Sequence, residues 1–192
     1  MLSYLRPAVV LLLLFTLVTG VIYPLTLTAV AQLIAPKQAN GSLLERNGQV
    51  LGSVLIGQHF TTDAYFHGRP SAAGKDGYDA ASSSGSNLGP LSSKLIDRVK
   101  ADVAILKAAQ AATIPVDAVT TSASGLDPHI SPAFAMLQID RVASARGVDK
   151  TRVHDIVDKQ IEQPLIGMFG EPRVNVLLLN LAIDQALRPD AG

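Results

Sequence analysis

Near its N-terminus the chain reads Pro7-Ala8-Val9-Val10-Leu11-Leu12-Leu13-Leu14-Phe15, the start of thirty consecutive residues without a charged side chain. This uncharged stretch ends at Pro36, and apolar residues remain dense through Val30. A helix of about 20 apolar residues spans the ~30 Å hydrocarbon core of a bilayer. The rest of the sequence contains no second stretch of this kind. We therefore predict an anchor segment over residues 1–35, with a membrane-spanning helix over about residues 8–30, followed by one polar domain.

A cleaved signal peptide is the alternative interpretation of this segment. Ala29-Val30-Ala31 matches the small-x-small cleavage pattern, and Arg6 supplies a minimal positive N-terminal region. The apolar run is, however, far longer than the roughly 7–15 residues of a signal-peptide core. Pro24 is also tolerated in a membrane helix, because neighbouring helices can satisfy the carbonyl that it frees. A retained anchor is therefore favoured.

Flanking charges discriminate little between the two orientations of this helix. Arg6 and the α-amino group lie on one side, and Lys37 and Arg46 lie on the other. The N-terminal tail is very short, which favours a cytoplasmic N-terminus. The sequence thus predicts a single-pass protein with an extracytoplasmic main domain.

The composition of the domain excludes several classes of protein. Arg6 is the only charged side chain before Lys37, so the remaining chain has 15 basic and 16 acidic side chains. A nucleic-acid-binding domain normally carries a basic excess, so no nucleic-acid partner is expected. The sequence has no Cys, which excludes disulfides and thiolate ligands. Its four His residues are scattered, and no metal site is predicted.

A composition break rich in Pro, Asn, Gly and Ser marks residues 36–42 as a linker, and residues 43–192 as the domain. Asn47-Gly48 then lies between two partly apolar segments, residues 43–46 and 49–56. An Asn-Gly pair supplies the positive φ angles of a type I′ turn, so these segments are predicted to form a β-hairpin.

Four helices are predicted in the rest of the domain. From Ser92 apolar residues recur at three- and four-residue steps, and this helix ends before Ile114-Pro115. A second helix has Ser131 as its N-cap and Gly147 beyond its end. The third covers about residues 149–160. The last, within residues 174–187, is a buried helix too short for a membrane, with a short strand at its start. Short early strands followed by helices indicate an α+β domain.

Two long irregular segments interrupt these elements. His67–Pro90 holds five Gly, five Ser and two Pro, and a segment this long is usually a functional or a disordered loop. Apolar anchors favour an ordered, docked loop. Its small residues could let backbone amides approach a phosphate. Because the Lys and Ser/Thr of a P-loop are absent, a structural or interface loop is favoured.

The second irregular segment, Thr120–Pro132, contains Ser124, Asp127 and His129. A hydrolase would need a base close to the serine and a pair of oxyanion donors, and sequence spacing shows neither. Hydrogen bonds from these side chains to nearby turns are the favoured interpretation. Two further expectations concern polar residues elsewhere: Arg69 is an internal tether, and the amides of Asn175 and Asn180 need partners if buried.

Several collinear segments together resemble the KdpC subunit of the bacterial Kdp potassium-transporting P-type ATPase. One is Gly52-Ser53-x-Leu55-Ile56-Gly57-Gln58-x-Phe60, and another is Ser122-Ala123-Ser124-Gly125-Leu126-Asp127-Pro128-x-Ile130-Ser131. The resemblance covers essentially the whole chain. The other matching segments are the N-terminal span, Tyr65–Ser71, Ser84–Pro90, Gln138–Ala143 and Gly170–Asn180.

The resemblance implies a non-catalytic accessory subunit of a high-affinity, ATP-driven K⁺ uptake complex in the bacterial inner membrane. The implied partners are the K⁺-conducting subunit KdpA, the ATP-hydrolysing subunit KdpB and the small subunit KdpF. K⁺ is handled by the complex, and no cofactor is expected to bind this chain tightly. The Asp-Lys-Thr-Gly motif of aspartyl-phosphate chemistry is absent. An anchored hydrolase or small-ligand binding domain is the alternative.

Family accounts describe the KdpC subunit as a catalytic chaperone that raises the ATP affinity of the hydrolysing subunit. The resemblance thereby implies a nucleotide contact, by Ser124, Gly125 and Gln138. Other motif residues are candidates for structural or interface roles, namely Arg69, Pro70, Ser71, Ser86, Asn87, Asp127, Asn175 and Asn180.

Overall fold

The computed structural model describes residues 2–108, 113–164, 167 and 170–187. The chain divides into two compact units, one up to Leu51 and one from Gly52 onward. The predicted limits of anchor, linker and domain, at residues 1–35, 36–42 and 43–192, stay predictions.

The first unit begins with a nearly continuous helix, formed by α1 (Leu2–Leu17), a π-helical turn (Val18–Ile22) and α2 (Tyr23–Ile34). From Tyr4 to Ile34 it is long and apolar enough to cross a membrane, and its apolar side chains are exposed. The wider π turn lies just before Pro24, which has no N–H to donate, and such turns are a common way for a helix to accommodate this defect.

Hydroxyl side chains within this helix bond to the backbone of the preceding turn. Thr19 donates to the Phe15 carbonyl at 2.6 Å, and Thr26 donates to the Ile22 carbonyl at 2.7 Å. Hydroxyls satisfied within the helix remain compatible with an apolar environment, where an unpaired polar group is costly. The sequence of this helix therefore suits a lipid environment despite its threonines.

A short helix, α3 (Pro36–Ala39), covers much of the predicted linker, and the hairpin strands β1 (Leu43–Arg46) and β2 (Gln49–Ser53) follow. Asn47 and Gly48 have φ angles of 54° and 76°, so the predicted type I′ hairpin is confirmed. The second strand ends at Ser53 and not at residue 56. The reason is a turn, in which the Ile56 N–H donates to the Ser53 carbonyl at 3.3 Å.

The second unit contains the four predicted helices and a small antiparallel sheet, in which β5 (Arg173–Asn175) lies between β3 (His129–Ile130) and β4 (Ile161–Glu162). His129 pairs with Asn175, and Ile161 pairs with Val174. The α+β class is confirmed. The predicted end of the first helix, residues 109–112, lies outside the described residues. The elements are α4 (Ser93–Ala108), β3 (His129–Ile130), α5 (Pro132–Arg146), α6 (Lys150–Lys159), β4 (Ile161–Glu162), β5 (Arg173–Asn175) and α7 (Val176–Ala186).

Local capping signals fix the start and end of α5. The Ser131 hydroxyl accepts a hydrogen bond from the Phe134 N–H at 3.0 Å, and Pro132 occupies the first turn. At the other end Gly147 adopts the left-handed conformation, with φ 64°. The predicted cap residues of this helix are therefore confirmed.

The core lies where α5, α6 and α7 meet. Val142, Val153, Val157, Leu179 and Ile183 are all fully buried, one or two from each helix. The last helix is thus a core helix, as predicted. Phe66, immediately before the first irregular segment, is also fully buried and belongs to the same core. This segment is therefore docked on the helices.

Candidate functional site in the irregular loops

The first irregular segment together with the two residues before it (residues 65–90) is here called the first loop, and the second segment up to the start of α5 (residues 120–131) is called the second loop. The two loops lie against each other. The Ser122 N–H donates to the Pro70 carbonyl at 3.0 Å. The Ser83 hydroxyl donates to the Ser124 carbonyl at 2.9 Å. Most of the candidate site residues are therefore held on one bonded pair of loops.

Ser71 is the most heavily used hydroxyl in this pair. It donates to the Gly125 carbonyl at 2.7 Å and accepts from the N–H groups of Tyr78 and Ala73, at 2.9 and 3.2 Å. The Tyr78 hydroxyl donates to the Arg69 carbonyl at 2.7 Å. Burial, reinforced by the charge of Asp127, raises the pKa of Tyr78 to about 12. The phenol therefore stays protonated and keeps donating.

Glycine is required where the backbones of the two loops meet. Gly125 has a φ of +68°, and a Cβ there would lie 2.6 Å from Ala73 Cβ and 2.7 Å from the Ser84 carbonyl oxygen. A Cβ on Gly85 would lie 2.8 Å from the Ala123 carbonyl oxygen. Close approach of backbone to backbone thus accounts for both glycines.

Arg69 and Asp127 join the loops by charge. Arg69 Nη1 lies 3.0 Å from Asp127 Oδ2, and both side chains are about a quarter exposed, at 26% and 29%. The other carboxylate oxygen, Asp127 Oδ1, accepts from the His129 N–H at 3.0 Å. Partial burial of Asp127 favours its neutral form, but the hydrogen bonds from His129 and Arg69 outweigh burial and lower its pKa. Arg69 is therefore an internal tether within this chain, as expected.

The hydrolase arrangement considered for the second loop does not assemble. His129 Nδ1 lies 3.7 Å from Asp127 Oδ1, which is longer than a hydrogen bond. The Ser124 hydroxyl accepts from the Leu126 N–H at 3.1 Å and lies 3.3 Å from the Ser122 hydroxyl. Both contacts of the Ser124 hydroxyl are those of a structural turn.

Two carboxamide side chains clamp consecutive residues of the first loop. The Asn180 amide accepts from the Phe66 N–H at 2.8 Å and donates to the Phe66 carbonyl at 3.0 Å. The Gln138 amide does the same to His67, at 2.7 and 3.1 Å. Asn180 and Gln138 are only 2% and 6% exposed. Each amide thereby satisfies the N–H and the carbonyl of one loop residue, as a neighbouring strand would. The partner that Asn180 was expected to need is thus the first loop.

The three residues for which the family resemblance implies a nucleotide contact lie in two different parts of the fold. Ser124 and Gly125 are adjacent in the second loop, whereas Gln138 lies on α5 and also accepts from Arg141 Nη2 at 2.7 Å. Both ends of the Gln138 amide are occupied by the protein itself. A nucleotide role for these residues stays a prediction.

Asn175 serves two structural purposes. Its Oδ1 caps α7 by accepting from the Leu178 N–H at 3.1 Å, and its Nδ2 donates to the Val54 carbonyl at 2.8 Å.

Asn87 is exposed in the first loop with a φ of 51°, and Ser86 beside it is half-buried. Among the described residues, the Ser86 and Asn87 side chains form no hydrogen bond.

Sequence reasoning missed a third set of contacts, which hold the residues just before His67. Arg146 Nη2 lies 2.8 Å from Asp184 Oδ1, and Arg146 Nε donates to the Ala64 carbonyl at 2.6 Å. The Tyr65 hydroxyl donates to Asp184 Oδ2 at 3.1 Å, and the Arg146 guanidinium lies 4.8 Å from the Tyr65 ring centre. No sequence signal pairs two helical residues 38 positions apart.

A polar cleft of about 560 Å³ opens beside the tether, lined by Arg69, Asp117, Asp127, His129 and Arg173 among others. Two of its carboxylates are already engaged, because both oxygens of Asp117 accept from Ser131, and those of Asp127 accept from Arg69 and His129. Within the described ranges, no group of three His, Cys, Asp or Glu side chains could hold a metal ion.

Comparison with known proteins gives a full-length match. Residues 5–185 match the family model KdpC, described as K⁺-transporting ATPase, c chain. The potassium-transporting ATPase KdpC subunit of Rhodopseudomonas palustris (strain BisB18) is 57% identical over 97% of this chain and 100% of its own length. That of Caulobacter vibrioides (strain NA1000 / CB15N) is 58% identical over 100% of this chain and 98% of its own length.

The fold and the loop contacts define a class of protein, in which a candidate membrane helix precedes a small α+β domain and the polar motif residues hold the loops of that domain together. The comparisons give the family within that class. The chain belongs to the KdpC family, the c chain of K⁺-transporting ATPases. The predicted function as an accessory subunit of such an ATPase is thereby confirmed, and the hydrolase alternative is not favoured.

The glycine contacts predict the effect of Gly125→Ala. The new methyl group would meet Ala73 and Ser84 in a left-handed backbone conformation, so we expect a loss of about 2 kcal/mol or more in the free energy of unfolding. Gly89→Ala is the matched control, because a Cβ at that position would have no atom within 4 Å. Urea denaturation of the full-length protein in mild detergent, followed by circular dichroism, measures both. Equal stability of the two variants would contradict the close-approach argument.

The carboxamide clamp predicts the effect of Asn180→Asp. The acid cannot donate to the Phe66 carbonyl while ionised, so we expect a loss of at least about 2 kcal/mol at neutral pH. The loss should shrink as the pH falls, because the protonated acid donates again. Gln185→Glu makes the same change at an exposed position of α7 and should cost little. Denaturation at several pH values tests this, and a pH-independent loss would count against the clamp.

Proposed function

We propose that this chain is a non-catalytic, membrane-anchored subunit that supports the K⁺-conducting and ATP-hydrolysing subunits of its complex. The observation that carries the proposal is the match over residues 5–185 to the c chain of a K⁺-transporting ATPase. The KdpC relatives match over nearly their entire lengths, so the comparison covers the helix and the domain together.

The use of polar groups in the two loops and on the helices that hold them supports a non-catalytic role. The hydroxyl of Ser71, the carboxylate of Asp127 and the amides of Gln138 and Asn180 all bond within the chain. A catalytic group has to reach a substrate, whereas these groups already form hydrogen bonds that hold the loops in place. The arrangement suits a rigid surface for partner subunits.

The orientation we propose has a cytoplasmic N-terminus and an extracytoplasmic domain in the bacterial inner membrane. This is the orientation expected from the sequence, and the exposed apolar side chains of the helix suit packing in lipid or against other helices. The proposed partners are KdpA, KdpB and KdpF. In this orientation the domain lies on the side from which K⁺ enters, and a role at the outer mouth of the K⁺-conducting subunit follows.

Removing the chain should abolish K⁺-stimulated ATP hydrolysis by the complex. We expect a bacterial strain lacking its own c subunit to recover growth at limiting K⁺ when this chain is supplied with its cognate subunits. The chain should also co-purify with these subunits in mild detergent. ATPase assays of the complex with and without the chain, and of the chain alone, measure the effect. Intact pumping without the chain, or hydrolysis by the isolated chain, would contradict the proposal.

The orientation predicts which introduced thiols a membrane-impermeant reagent reaches. The sequence has no Cys, so a single introduced Cys is unique. Ser144→Cys lies at an exposed position of α5 and should be labelled once the outer membrane is permeable. Ser3→Cys, at the N-terminal end of the membrane helix, should be labelled only after the inner membrane is also opened. The reverse pattern would overturn the orientation and leave the accessory assignment untouched.

A further inference from the structure

The first unit contains two Asn-Gly pairs in different surroundings, Asn40-Gly41 and Asn47-Gly48. Both asparagines are exposed. An asparagine before glycine is prone to cyclise, because the unhindered glycine nitrogen can attack the side-chain carbonyl carbon. Sequence alone therefore gives the two sites the same chemistry.

The structure protects the first site in two ways. The Asn40 amide exchanges two hydrogen bonds with the Gln32 amide, both 3.1 Å, and donates to the Pro36 carbonyl at 2.7 Å. The nitrogen that would attack, Gly41 N, donates to the Gln38 carbonyl at 3.0 Å. Cyclisation at Asn40 must first break these bonds.

The second site lacks this protection. Asn47 lies at the tip of the hairpin, where residues 47–50 are all exposed. Among the described residues, no hydrogen bond to the Asn47 side chain forms. The hairpin has only two strands, and a two-stranded hairpin is marginally stable, so opening of its tip costs little.

We propose that Asn47 is a site of spontaneous deamidation and that Asn40 is protected from it. In the opened tip Gly48 N attacks Asn47 Cγ, a C–N bond forms, and the side-chain nitrogen leaves as ammonia. Water then opens the cyclic imide at either carbonyl and yields aspartate or isoaspartate. The step needs only water and involves no oxidant.

Either product changes the hairpin. Each adds one negative charge to a tip that was neutral at residues 47–50. Isoaspartate also inserts an extra methylene group into the main chain, which the two-residue type I′ turn has no room for. The modification therefore loosens the pairing of β1 with β2.

The experiment ages the full-length protein in mild detergent at mildly alkaline pH and follows the two sites by peptide mass spectrometry. Trypsin cuts after Arg46, so Asn40 and Asn47 fall in separate peptides of the same sample. We expect Asn47 to convert about tenfold or more faster than Asn40, because the extra hydrogen bonds at Asn40 together slow opening by about this factor.

Two further measurements test whether the hydrogen bonds at Asn40 cause the difference in rate. Gln32→Leu removes the amide partner of Asn40 and should bring its rate closer to that of Asn47. In fully denatured protein the two rates should converge. Equal rates in the folded protein would overturn the proposal, and so would an unmodified Asn47 in folded protein that reacts readily once denatured.

Discussion

Buried peptide groups must find hydrogen-bond partners, and in this domain two side-chain amides provide them. Phe66 carries an irregular segment into the core, where water cannot satisfy its N–H and carbonyl. The Asn180 amide pairs with both groups of Phe66, and the Gln138 amide pairs with both groups of His67. The loop is thereby joined to α7 and α5 without a strand beside it.

The remaining loop contacts build on this attachment. With Phe66 and His67 fixed, the next residues carry Arg69 to Asp127 and Ser71 to Gly125. The absence of a side chain on Gly125 allows the two backbones to touch. Polar residues that suggest chemistry in isolation thus act together as structure. This use of the motif residues agrees with an accessory subunit, whose surface serves its partners.

Local features of the fold could be predicted because their causes lie within a few residues. Ser131 caps its own helix, Gly147 ends it, and Asn47-Gly48 makes its own turn. The strand expected to reach residue 56 was the exception. It stopped at Ser53, where backbone and side-chain hydrogen bonds favour a turn. Here a local turn overrode apolar character that suggested a longer strand.

The sequence by itself determined the apolar helix, the hairpin, the α+β class and the family. Hydrophobic runs, helix caps and the order of motifs along the chain are all properties of the sequence alone. It also indicated that buried Asn175 and Asn180 would need partners. Only the tertiary structure decided which partners these are, since Asn180 and Phe66 lie 114 positions apart. The same holds for the two Asn-Gly pairs. The two pairs have the same sequence, but they differ because the side-chain amide of Gln32 bonds to Asn40 and not to Asn47.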